Sequence, residues 1–146
     1  MTFYAGQNGR MKIGSTVAAK VTNWSFSSSM APLQTTTLED TDNTFIDGLR
    51  TMTGSCRLFY YQDGASNSAK ELIDKLVKTR TTAGDGGKAA SPDNVILELQ
   101  VVEGSTVKSM ELEVLLTSAS MAMSVGEVLS ADVAFQVNGA PITNSL

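Results

Sequence analysis

Val17-Ala18-Ala19-Lys20-Val21-Thr22-Asn23-Trp24-Ser25-Phe26-Ser27-Ser28-Ser29-Met30 is the longest strand signal in the first half of the chain, and its phase decides the fold. Val17, Ala19 and Val21 share one parity, whereas Trp24, Phe26 and Ser28 share the other. The alternation slips by one residue near Thr22-Asn23. A β-bulge does this, and it lets a strand bend as it passes from one sheet to another. A second slip lies within Val107–Val125. Met110, Leu112, Val114 and Leu116 point one way and Ala119, Met121, Met123 and Val125 the other, with the change near Thr117-Ser118. Two long strands that bend predict a mainly β domain.

The neighbouring segments fit that frame. Met11-Lys12-Ile13 is a short strand closed by Gly14-Ser15, and Ala31-Pro32 interrupts the long run because Pro cannot donate to a central ladder. Gln34 to Glu39 is Thr-rich and predicts a strand polar on both faces. Asp40 to Gly48 is acidic around an apolar pair, Phe45-Ile46. Ser55–Gln62 alternates clearly, with Cys56, Leu58 and Tyr60 opposing Arg57, Phe59 and Tyr61. Asn94–Glu103 is a strand apolar on both faces, Gly104-Ser105 is a tight turn, and Val133, Phe135 and Val137 alternate with Asp132, Ala134 and Gln136.

One helix is expected, over residues 68–82. Ser68-Ala69-Lys70-Glu71 is a capping box, and Ala69, Leu72, Ile73, Leu76 and Val77 form one apolar stripe. A single domain, 1–146, follows: an N-terminal arm (1–10), a polar loop (39–50), the helix, a flexible Gly-rich loop (83–93) and a turn-rich tail (138–146).

Composition narrows the role. The chain has 146 residues, 15 acidic and 11 basic, for a net charge of −4, with no His and one Cys. Without imidazole, a Ser-His-Asp triad is excluded within this chain. One Cys supports neither a disulfide framework nor a Cys-based zinc site, and Cys56 reads as a small buried apolar residue. The acidic balance argues against gripping phosphates. No apolar run approaches the length of a membrane span, about 18 residues, and the first residues lack the pattern of a signal peptide. Ser and Thr supply 32 of the 146 residues.

No motif carries catalysis. Gly84 to Lys88 superficially resembles a phosphate loop, but it follows a helix, and Ala89 stands where a hydroxyl is needed. Asp40-Thr41-Asp42 could begin a calcium loop, yet Phe45 replaces the required Gly and Thr51 the required Glu. Glu111 and Glu113 read as outward carboxylates on an amphipathic strand. Trp24, Phe26, Phe59, Tyr60 and Tyr61 read as core aromatics, and Met110, Met121 and Met123 as core or a subunit contact. No catalytic residue, metal ligand or cofactor is expected.

The order of these elements resembles the tail tube proteins of tailed bacteriophages, which share a fold with type VI secretion and contractile-injection tubes. The resemblance is carried by the strand Val17–Ser29 with Trp24-Ser25-Phe26, the Thr-rich strand Thr35–Leu38 and the acidic loop Asp40–Gly48. It continues through the strand Gly54–Tyr61, the helix Ser68–Arg80 and the long final strands. It implies two steeply packed antiparallel sheets with one flanking helix, joined between subunits into rings of six that stack as a tube. The chain would then be a structural virion protein, assembled in the host cytoplasm, whose channel passes DNA without binding it. Its partners would be its own copies and tail proteins such as tape measure, sheath and terminator or baseplate, with no membrane.

Within that resemblance Asp40, Asp42, Phe45, Ile46 and Leu49 are expected at contacts between subunits or rings. Gln34, Thr35, Thr36 and Thr37 are expected to line the lumen. Two alternatives stand beside it: a secretion or injection tube carrying protein effectors, and a monomeric β-domain binding carbohydrate or protein through Trp24 and the tyrosines.

Overall fold

A computed structural model describes residues 3–14, 16–17, 21–60, 68–77 and 94–146. In chain order the strands are β1 (Gly9–Ile13), β2 (Thr16–Val17), β3 (Val21–Met30), β4 (Leu33–Gln34), β5 (Phe45–Ile46) and β6 (Arg50–Phe59). The helix α1 (Ser68–Ile73) follows, then β7 (Asn94–Glu103), β8 (Thr106–Ala122), β9 (Ser130–Val137) and β10 (Thr143–Asn144). A short 3-10 turn, Gly6–Asn8, precedes β1.

The strands form one antiparallel sheet in the order β2-β1-β7-β8-β9-β6-β3, with β10 added on β8, while β4 and β5 pair separately. The two expected sheets are thus halves of one sheet curled into a half-barrel. The physical reason is β8. Its 17 residues are long enough for the first part to pair with β7 and the last part with β9. The bend between the halves sits where the apolar pattern changes phase: the β8–β9 register shifts between Leu116 and Ser118, and the β3–β6 register between Val21 and Asn23.

One face of the curled sheet is the core. Leu97 and Leu99 of β7, Leu112 and Val114 of β8, Val133 and Phe135 of β9 and Leu58 of β6 are fully buried, with Met11 of β1 against them. Residue parity switches at both bulges, so the core-facing side is kept: Trp24 follows Val21 onto the core, and Ala119 rejoins this face opposite Val133. Gly104, at φ 59°, turns the chain between β7 and β8 in a conformation that residues with a Cβ seldom adopt.

The helix is shorter than its apolar stripe predicts. Regular structure ends at Ile73, and the next turn tightens through bonds such as Lys75 N–H to Leu72 O at 3.2 Å. Ala69 and Leu72 are buried, but Leu76 and Val77 are exposed, because the core runs out beneath the second turn. Lys70 Nζ holds Asp74 at 2.7 Å on the outer side. The expected helical residues 78–82, the loop 83–93, Tyr61 and the Ser68 side chain lie outside the described residues.

The turn-rich C-terminal tail is tied to β8 within the subunit. Asn138, Ile142 and Ser145 donate their N–H groups to Glu113 O, Glu111 O and Ser109 O of β8, at 2.7 to 2.8 Å. The tail continues along the edge of β8 that β9 occupies further on, and it seals that edge within the subunit.

Candidate assembly surfaces

The face of β3 and β6 opposite the core is a ladder of hydroxyls. Ser25, Ser27 and Ser29 on β3 stand across from Ser55, Thr53 and Thr51 on β6. Their oxygens pair at 3.1, 3.3 and 3.1 Å, and all six residues are exposed or half-exposed. The rows extend sideways: Thr53 faces Gln136 and Ser55 faces Ala134 on β9, while Ser118 and Ser120 of β8 face Ala134 and Asp132. A four-stranded patch made mostly of small polar side chains results; most apolar residues of these strands turn to the core, while Phe59 and Ala134 lie on the patch face.

That patch has two unpaired edges. Strand β3 ends the sheet, with no strand on its outer side among the described residues. Strand β8 pairs with β7 only as far as Leu115, so its far edge over residues 116–122 has no partner among the described residues either. Unpaired edges of this length are templates for pairing with another chain.

A second surface projects from the Met30 end of the patch. Strands β4 and β5 make a hairpin with Leu33 opposite Ile46 and Gln34 opposite Phe45. Phe45 and Ile46 are each 56% exposed and Leu49 is 87% exposed. Leu33 and Leu38 are also exposed, and apolar content alone did not separate them from buried leucines in the sequence. Asp40 and Asp42 are exposed at the hairpin tip. Asp40 accepts the Thr37 N–H at 2.7 Å and closes the turn. Gly48 packs directly on the Ala31 carbonyl, where a Cβ has no room, and so fixes how the hairpin leaves the sheet.

The Thr run does not form the expected strand Thr35–Leu38. Regular pairing stops at Gln34, and the Thr side chains instead tie the two limbs together. Thr35 Oγ1 meets Thr44 Oγ1 at 3.0 Å, Thr36 Oγ1 accepts the Thr44 N–H at 3.0 Å, and Gln34 Nε2 donates to Thr36 and Asn43. Side-chain bonds to nearby backbone compete with strand ladders, and here they win. Gln34, Thr35, Thr36 and Thr37 are therefore built into the hairpin. The hydroxyl surface carried on strands is the β3–β6 ladder, which the alternation of Ser25, Ser27 and Ser29 with Trp24 and Phe26 could have revealed.

The aromatics divide as their parity demands. Trp24 is half-buried against the core and stacks on Phe26, with ring centroids 6.5 Å apart. Phe59 is partly exposed on the opposite face. They form no shared platform for a sugar. Burial pushes the Cys56 thiol up to about 12, with the nearby Asp132 charge adding to the effect, so this residue is an inert core side chain. Among the described residues no cluster of three metal-ligating side chains occurs, and no helix is long and apolar enough to cross a membrane.

No family model matches the sequence, and no curated protein matches it. Solved structures do. The chain is similar to one from the tail of an empty gene transfer agent particle, refined with C6 symmetry: TM-score 0.66, 15% identity, covering 99% of this chain and 100% of that one. It matches the SPP1 tail tube with TM-score 0.67 and 10% identity, covering 99% of this chain and 80% of that one. It also matches a chain of the PVC sheath–tube complex, an extracellular contractile injection system, with TM-score 0.71 and 6% identity, covering 99% and 93%. At such identities the likeness is one of fold, and over nearly its whole length this chain has the tail-tube fold.

Proposed function

We infer that the chain is a structural subunit of a tail tube, located in the tail of a virion or virion-derived particle. The observation that supports this best is the four-stranded patch with two free edges and a hydroxyl face. Pairing of the β3 edge of one copy with the β8 edge (residues 116–122) of the next leaves no edge of the patch open and closes a ring into one barrel. Six copies suit the ring, as in the gene transfer agent tail refined with C6 symmetry. The core face is already covered within the subunit, so the hydroxyl ladder turns to the lumen. Gln34, Thr35, Thr36 and Thr37 continue that polar surface at the hairpin end.

Rings stack through the hairpin, with Phe45, Ile46 and Leu49 as apolar anchors between the acidic side chains of Asp40 and Asp42. The role asks no chemistry of any side chain, and the chain is not an enzyme. Its cargo is DNA, passed to the host through a channel that does not bind it. Tape measure, sheath and terminator or baseplate proteins meet the tube at its surfaces and ends.

A second reading, a tube that passes protein, is supported by the TM-score of 0.71 to the PVC complex. Sedimentation velocity on concentrated purified chain tests the tube reading. Fast, concentration-dependent polymers are expected; a single slow species at all concentrations overturns it and leaves a monomeric β-domain.

A further inference from the structure

Arg57 is the one cation that the described residues of β3, β6, β9 and the end of β8 place on the hydroxyl face. Its parity on β6 is that of Thr53 and Ser55, whereas Arg50 has core parity and binds Asp47 outside the sheet. Directly across from Arg57 stands Asp132, the one carboxylate of these strands on this face. Arg57 Nε lies 3.6 Å from Asp132 Oδ1, and its Nη2 donates to Ser130 Oγ at 3.1 Å. Both partners are more than half exposed, so the pair is open to whatever moves along this face. Glu127, in the loop at the strand ends, lines the same groove.

An exposed guanidinium is the side chain best matched to phosphate, which it holds through two parallel hydrogen bonds. Repeated around a ring and along a stack, one such group per subunit would make a channel that grips a polyanion. We propose that Asp132 is the residue that prevents this. Held opposite Arg57 by the register of two paired strands, it keeps a carboxylate beside the guanidinium Nε and offsets its charge, while Ser130 takes up Nη2. The hydroxyl face of the wall strands then carries no net charge and presents mainly hydroxyls and amides to the cargo. This rests on the hydroxyl face being the lumen. It departs from the simplest use of an acidic subunit, a wall that repels DNA, because the carboxylates of the described residues lie mostly elsewhere.

The test uses a labelled 30-base-pair DNA duplex with wild-type chain, Asp132→Asn, Asp132→Ser and the double variant Arg57→Gln/Asp132→Asn. Binding is read by fluorescence anisotropy on the soluble subunit and by co-sedimentation with tubes. Wild type is expected to retain little duplex at any salt. The two Asp132 variants should retain at least about tenfold more at about 50 mM NaCl and lose it by about 200 mM, as counterion release requires. The double variant should return to the wild-type level. Unchanged retention by both single variants, or retention that persists in the double variant, overturns the masking role. Failure of the wild-type chain to form tubes overturns the conduit reading instead, while the soluble-subunit measurement still decides the masking.

Discussion

Phe135 on β9 lies directly across from Gly54 on β6, and its ring fills the place a side chain would take there. A Cβ at Gly54 would stand 2.6 Å from Phe135 Cζ and 2.5 Å from the Ser25 carbonyl oxygen. Phe135 is fully buried, so its ring has nowhere to retreat. Gly54→Ala is expected to lower stability by about 3 kcal/mol through overpacking. Combined with Phe135→Leu, the loss should be less than the sum of the single losses, because the smaller side chain relieves one of the two clashes. Urea midpoints of the four proteins check this; additive losses would contradict the contact.

The hairpin anchors should separate folding from assembly. Phe45 and Ile46 are more than half exposed in the subunit, so Phe45→Ser with Ile46→Ser should shift thermal stability little. The same double variant should remain a folded monomer under conditions in which wild type polymerises. Circular dichroism and electron microscopy together check it, and normal tubes from the variant would refute the anchor role.

Alkaline titration should expose Cys56. Its folded thiol is raised from 9.0 to about 12, chiefly by burial. Between those values the unfolded chain has lost the thiol proton and the folded chain has kept it. Stability is therefore fully present below pH 9 and falls as pH rises toward about 12, by roughly 1.4 kcal/mol per unit from this group. Cys56→Ala should lack this component, and equal slopes in denaturant titrations of the two proteins would contradict it.

How legible the fold was depended on which force set each element. The bends at Thr22-Asn23 and Thr117-Ser118 could be read from sequence because burial enforces a period of two on apolar residues, and a bulge must break it. The hydroxyl ladder could not be assembled the same way. Ser25, Ser27 and Ser29 alternate correctly, but pairing them with Ser55, Thr53 and Thr51 requires the β3–β6 register, which 20-odd intervening residues do not encode locally. Thr35–Thr37 misled for the complementary reason: β-branched residues favour strands on average, yet here their oxygens bind Thr44 and stop the ladder. The length of α1 failed because an apolar stripe shows which face can be buried, not how much core lies beneath it.

The Arg57–Asp132 pair should matter little to folding. An exposed ion pair contributes less than about 1 kcal/mol, and both side chains are more than half exposed. A double-mutant cycle on Arg57→Gln and Asp132→Asn in urea should give a coupling below that value. A larger coupling would make the pair a structural clamp rather than a charge mask.

The central claim is that the hydroxyl face of β3 and β6 becomes the inner wall of a tube. Helical reconstruction of polymers formed by the purified chain tests it most directly. The expected map shows stacked rings in which the β3 edge of each subunit pairs with residues 116–122 of its neighbour, with Ser25, Ser27, Ser29, Thr51, Thr53 and Ser55 facing the lumen. A map that places this ladder on the outer surface, or that joins subunits through other edges, would contradict it.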